Sequence, residues 1–195
     1  MRSTKTIYVS SSGEYDKHKS GLKLAPCPHC RAVGYLNAHG YLNGRGEGVS
    51  DKVRRGWRLF CSNRNRRQGC GRTYCVLLAQ FMPRRMVDSL RLWRLLQGIR
   101  QGLSIKAAWE KIPSPFCLET GYRLRATFAR SQTFIRSLLL RAGALPKFTS
   151  AEPALQVIEH LRAVFPRSAC PVADFQLRFQ TAFLHAPAVR VNRSG

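Results

Sequence analysis

Acidic residues are scarce in this sequence. Asp and Glu together number 10 among 195 residues, against 33 Lys and Arg, which leaves a formal net charge of +23. A compact body this unbalanced repels itself, and a bound polyanion relieves the repulsion. Solubility alone asks for far less, a net charge of about 2 to 8 on a small domain. Long apolar runs are missing as well. No segment approaches the roughly 18 apolar residues of a membrane span, and the opening "MRSTKTIYVSSSGEYDKHKSG" has no apolar core of a secretory leader. These absences argue against a membrane partner and for a cytoplasmic protein. Low-complexity tracts are absent, and "GRGEG" lacks the Lys-Ser/Thr and the following helix of a phosphate-binding loop.

The composition still supports a core: 44% of the residues are hydrophobic and three are Trp. Most of the positive charge is Arg, whose planar fork suits phosphates and guanine edges. Nucleic acid is therefore the natural partner class. The seven Cys, read as reduced cytosolic thiols, favour a metal over disulfides. Four of them form a pattern: "CPHC" supplies Cys27 and Cys30, and Cys61 and Cys70 follow about thirty residues later. Zinc prefers four soft, tetrahedral ligands, and a Cys-x2-Cys turn offers two thiolates from one tight knuckle. Between the pairs, "AVGYLNAHGYLNG" reads as strands with a hairpin made by its repeated "GYLN". "VRRGWRLF" reads as a strand running into Cys61, and "RTYCVLLA" as a strand leaving Cys70. Two knuckles joined by short antiparallel strands describe a zinc ribbon, whose small core depends on the metal. Cys75 and His29 compete for ligand positions. A redox role for Cys27 and Cys30 lacks the helix N-terminus or βαβ pattern that lowers a thiol pKa. Cys117 and Cys170 read as inert core thiols.

After Pro83 the texture turns helical. "RRMVDSLRLWRLLQGIRQG" places Met86, Leu90, Trp93 and Leu96 on one stripe, and Gly102 breaks it. Ser104 reads as the N-cap of "LSIKAAWEKI", and Ser114 as the cap of a third helix with Pro115 at its first position. Helix, short helix, four-residue turn and helix is the helix-turn-helix arrangement, although a plain bundle has the same periodicity. In that arrangement Glu119, Thr120 and Arg123 face base edges, and Lys106 and Lys111 face backbone phosphates. Segments near 151–165 and 171–184 read as helices packing back on the bundle. The carboxylates beyond the ribbon, Asp88, Glu110, Glu119, Glu152, Glu159 and Asp174, fall in segments read as helical rather than on strands. His160 and His185 stand alone, as surface or capped-end residues. No catalytic constellation emerges, so the chain reads as a binding protein rather than an enzyme.

"RRGWRLFCSNRNRRQGCGRTYCV", together with "CPHC", resembles the zinc ribbon near the N-terminus of bacterial insertion-sequence transposases over residues 24–80, and "GLSIKAAW" resembles the start of their helix-turn-helix. The resemblance departs in one place: eight residues, "SNRNRRQG", separate Cys61 from Cys70, where the family's spacing is short. It also implies leaving Cys75 out of the ligand set, since the family carries a small residue there. The expectation is an α+β protein with a flexible arm over 1–23, a small zinc β-ribbon over 24–82, an all-α helix-turn-helix-like bundle over 83–146, and C-terminal helices and tail over 147–195. Its implied function is zinc-dependent recognition of double-stranded DNA for a transposon or insertion element in a bacterial nucleoid. A separate transposase or nuclease subunit would supply the catalysis. Arg54, Arg55, Arg58, Arg64, Arg66, Arg67 and Arg72 would grip phosphates. Alternative readings are a ribbon that docks on protein or RNA within a nucleoprotein complex, or a transcriptional regulator.

Overall fold

The structure is a computed structural model that describes residues 6–45, 52–64, 68–143 and 145–184. Four strands and six helices follow in the order β1 (Thr6–Val9), α1 (Ser12–Ser20), β2 (Leu36–Arg45), β3 (Lys52–Cys61), β4 (Thr73–Leu78), α2 (Ser89–Arg100), α3 (Ile105–Glu110), α4 (Leu118–Leu139), α5 (Pro153–Val164) and α6 (Pro171–Phe179). The fold is mixed α+β, as expected. Its described residues fall into two compact units. One comprises those of Met1–Leu90 with Ala173–Thr181, and the other those of Arg91–Val172 with Ala182 onward.

The first unit is built on a four-stranded sheet in the order β1-β4-β3-β2. β3 pairs antiparallel with β2 and β4, while β1 lies parallel to β4. The strand reading of "VRRGWRLF" holds because Trp57, Leu59 and Cys61 alternate inward while Arg58 points out. Gly56 is obligatory there, since a Cβ would sit 2.1 Å from the Val76 carbonyl on β4. Trp57 is stacked on Tyr15 of α1, with ring centroids 3.8 Å apart.

Three expectations are corrected in this unit. The described part of the expected arm, residues 6–23, is built into the fold: β1 joins the sheet beside β4, and α1 is capped by Ser11, whose Oγ accepts from the Glu14 N–H, while residues 1–5 lie outside the described residues. The two "GYLN" copies do not form a hairpin. The second lies within the ten-residue β2, where Gly40 adopts φ +118° and two residues, 39 and 40, oppose Arg58 alone. That is a β-bulge, which glycine makes accessible. Finally, α6 from Ala173 onward belongs to this unit rather than to the helical bundle. Gln176 on α6 donates to the carbonyls of Ala79 and Phe81 at 2.7 and 3.2 Å. Just beyond the helix, Gln180 both accepts from the Tyr8 N–H and donates to the Tyr8 carbonyl. These amides satisfy backbone groups beside the sheet, including the edge strand β1.

The second unit holds α3, α4, α5 and all of α2 beyond Leu90. α2 ends in a Schellman motif: Gly102 (φ +84°) donates to Ile99, and Leu103 donates back to Gly98. Ser104 caps α3 as expected, accepting from the Ala107 N–H at 3.1 Å. Close packing needs two glycines. A Cβ on Gly98 would meet that of Ala108 at 2.8 Å, and one on Gly121 would press on the Trp109 ring at 3.1 Å. The expected boundaries shift at two places. α2 begins at Ser89 rather than in the "RRM" stretch, so Met86 and Leu90 are exposed and the buried face is Leu92, Trp93, Leu95 and Leu96. α4 begins at Leu118, not at Ser114, and residues 111–117 form a seven-residue turn. Pro113 and Pro115 disfavour the helical region for the residues that precede them. Trp109 Nε1 donates to the Phe116 carbonyl at 3.1 Å and pins the turn. The stretch through Ser131 joins α4 without a break.

Candidate metal centre

Cys27 and Cys61 are fully buried, each in the core cluster that includes Leu36, Leu59 and Tyr74. Cys30 is exposed and Cys70 intermediate. Their four Sγ atoms all lie within 4.8 Å of one another, with Cys27–Cys70 and Cys30–Cys61 both at 3.8 Å. Thiolates about 2.3 Å from a tetrahedral zinc ion lie about 3.8 Å apart, whereas a disulfide requires about 2.05 Å. The cluster thus has the spacing of a single tetrahedral ion, and the donors are of the soft type that selects zinc or iron. The four cysteines are close enough to hold a metal ion.

The backbone that presents them is the same on both sides. In the first knuckle the Arg31 N–H donates to the Cys27 carbonyl, and the Cys27 N–H to the Ala32 carbonyl, both at 2.9 Å. In the second, the Gly71 N–H donates to the Cys61 carbonyl at 3.0 Å, and the Cys61 N–H to the Arg72 carbonyl at 2.9 Å. Residues 31 and 71 each follow the second cysteine of their knuckle, and both adopt the left-handed region, at φ 66° and 68°. The backbone at Ala32 hydrogen-bonds the Cys30 thiol, and the backbone at Arg72 that of Cys70. The eight-residue spacing therefore contains an ordinary knuckle, Cys61-Ser62 joined to Gly69-Cys70, with residues 63–68 inserted in the sequence between its two halves. The Gly69 N–H donates to the Ser62 carbonyl at 3.1 Å and closes the base of that loop. Ser62 and Gly69 then occupy the places of Pro28 and His29.

No family model, curated protein or solved structure matches this chain. The site must be read from its own geometry.

That geometry tunes the thiols unequally. The Ala32 backbone N–H draws the Cys30 thiol down to about 7, while burial pushes Cys61 up to about 12 and raises Cys70. A cation is the physical means of holding all four as thiolates in so small a volume. The competitors lie elsewhere. Cys75 is on β4, opposite Arg58, and burial raises its pKa. His29 turns its Nε2 to the Thr73 carbonyl at 3.2 Å rather than to solvent. Sequence pattern alone does not single out Gly69 and Gly71, although the tripeptide "GCG" around Cys70 is a usable signal for them.

The arginines divide. Arg54, Arg58, Arg64 and Arg72 are exposed, and none is paired with a carboxylate among the described residues. Arg54 lies over the Tyr41 ring at 4.1 Å and Arg64 over Phe60 at 5.7 Å. Arg55 is half-buried, sits over Phe81 and donates to the Met82 carbonyl at 3.5 Å, so its charge is directed inward. Arg66 and Arg67 lie outside the described residues. In the helical unit Lys106, Lys111, Glu119 and Arg123 are exposed, while Thr120 is half-buried with its hydroxyl 3.9 Å from the Cys117 thiol. Cys117, expected in the core, is exposed at the N-cap of α4, and Cys170 is intermediate. His160, expected at the surface, is buried and edge-on to Phe148, with neither ring nitrogen hydrogen-bonded among the described residues. His185 lies outside the described residues. No helix among the described residues is long and apolar enough to cross a membrane.

Proposed function

We propose that this chain is a zinc-dependent duplex-DNA-binding protein of the kind that serves a transposon or insertion element. The observation that carries the reading is the set of exposed ribbon guanidiniums that have no carboxylate partner among the described residues, on a chain of net charge +23. In the proposal, Cys27, Cys30, Cys61 and Cys70 bind zinc, and the ion ties the two knuckles into one rigid mount. Arg54, Arg58, Arg64 and Arg72 then meet phosphates at low entropic cost, since two of the four already rest on aromatic rings. Helices α2, α3 and α4 form the helix-turn-helix. Glu119, Tyr122, Arg123, Ala126 and Arg130 share the exposed face of α4, at the i, i+3, i+4 spacing of one helical stripe. That mixture of small and polar side chains suits a helix lying in the major groove. The seven-residue turn is longer than the usual three or four residues, which sets this version apart from the compact motif.

Titrating a labelled duplex at several salt concentrations tests the reading. Log affinity should fall linearly with log salt, by about 0.9 for each phosphate neutralised. The zinc-loaded protein should carry one ion per chain, and Cys61→Ser should lose both the ion and the binding. Duplex affinity indifferent to salt would overturn the DNA reading. A second reading rests on Leu24 and Val33, apolar and exposed on either side of the first knuckle. A docking surface for protein there predicts partner binding that survives high salt.

A further inference from the structure

The first unit holds a cleft of about 210 Å³ walled by α1 on one side and by the β2–β3 pair on the other. Tyr15 and Trp57 close its floor as a stacked pair. Tyr41, 58% exposed, and Arg54, whose guanidinium lies 4.1 Å from the Tyr41 ring centroid, form a flat cationic shelf in the wall. Asp16 and Lys19 line the α1 side.

Two bulges build this arrangement. Residues 39 and 40 on β2 oppose Arg58 alone, and Arg55 on β3 is an extra residue between the Leu42–Gly56 and Asn43–Arg54 pairs. Successive strand residues alternate faces, so three-residue spacing would ordinarily put Arg54 and Trp57 on opposite sides of the sheet. The second bulge resets the alternation and brings Arg54 to the face of Trp57 and Tyr41. Bulges commonly re-aim a side chain in this way beside a binding site.

We propose that this cleft receives one unpaired nucleobase of a bound nucleic acid strand, stacked against the Arg54–Tyr41 shelf; the inference rests on the nucleic-acid reading above. The cleft falls short of the roughly 300–1,000 Å³ that drug-sized ligands occupy, and suits a single flat ring system. Guanidinium planes and aromatic faces are the surfaces on which unstacked bases lie. A bare phosphate would leave the aromatic surfaces of Tyr41 and Trp57 unused and would meet the Asp16 carboxylate beside Arg54 and Lys19. The same carboxylate accepts from the ring or exocyclic N–H groups of a base. Lys19 is placed for the strand's own phosphate.

The test compares the full-length protein on a blunt duplex and on the same duplex with a single-stranded overhang carrying 2-aminopurine, in DNA and RNA versions. The wild-type chain should prefer an overhang by roughly tenfold or more, with 2-aminopurine fluorescence quenched by stacking. Tyr41→Ala should erase the preference and the quenching, lowering overhang affinity by roughly tenfold more than blunt-duplex affinity, and Tyr41→Phe should restore both. Whichever version shows the preference identifies the strand. Equal affinity for blunt and overhang substrates, unaltered in Tyr41→Ala, overturns the cleft while the DNA reading stands. Binding to none of the four substrates overturns both.

Discussion

At the scale of single residues, the second knuckle depends on one atom that is not there. Gly69 sits where the loop over 63–68 closes, and a Cβ on it would lie 2.1 Å from the Ser62 carbonyl oxygen and 2.9 Å from the Cys61 Sγ. Neither neighbour can yield: one is backbone, the other a candidate ligand buried in the core. Gly69→Ala is therefore expected to weaken metal binding at least tenfold, about 1.4 kcal/mol, by pushing Cys61 or Cys70 out of the tetrahedron. Gly143→Ala is the control, since nothing lies within 4 Å of that position. A metal-binding titration separates them, and equal affinities in the two variants would remove Gly69 from the site. The first knuckle meets the same backbone demand differently. Arg31 takes φ 66° where Gly71 takes 68°, at the modest energetic cost that a non-glycine residue bears there. Arg31→Gly should for that reason be tolerated.

At the scale of elements, the matched hydrogen bonds of the two knuckles make the insertion separable from the site it interrupts. Deleting residues 63–68 joins Ser62 to Gly69 and leaves Cys-Ser-Gly-Cys, the spacing of the first knuckle. Metal stoichiometry should survive this deletion. Duplex affinity should fall together with its salt slope, because three arginines leave with the loop. Loss of the metal on deletion would mean that the loop supports the ligands rather than the partner. Much of this element was legible in the sequence, because a Cys-x2-Cys turn and an inward-alternating strand are local signals. The four ligand positions, the course of β3 and β4, the cap at Ser104 and the stop at Gly102 all belong to that class. What was not legible depends on distant partners. Whether "GYLN" turns or bulges is decided by Arg58 and Trp57 on another strand. Where α4 begins is decided by the Trp109 indole holding the Phe116 carbonyl. The position of Gln180 is decided by the backbone of Tyr8, 172 residues earlier.

At the scale of the whole chain, the two units differ in what their cores contain. In the first, two candidate ligands, Cys27 and Cys61, sit within the buried cluster itself, beside Val9, Tyr15, Trp57, Tyr74 and Val76. An ion there organises apolar packing as well as loops, so its binding free energy is folding free energy for that unit. In the second, the buried side chains include Leu95, Leu124, Phe128, Ile135, Leu139, Val157, Ile158 and Leu161, and the candidate ligands lie outside it. Chelation should therefore act on one unit first. Four thiols within 4.8 Å of one another lose the charge that offsets their mutual repulsion as thiolates, and β2, β3 and β4 lose the constraint at the Cys61 and Cys70 ends. Hydrogen exchange followed peptide by peptide in the presence of a chelator should show amide protection collapsing across Leu36–Arg45, Lys52–Cys61 and Thr73–Leu78. Protection across Leu118–Leu139 and Pro153–Val164 should persist, and readdition of zinc should restore the rest. Protection lost in both units together would mean that the chain folds as one cooperative body. Protection lost in neither would mean that the sulfur cluster is not what holds the sheet.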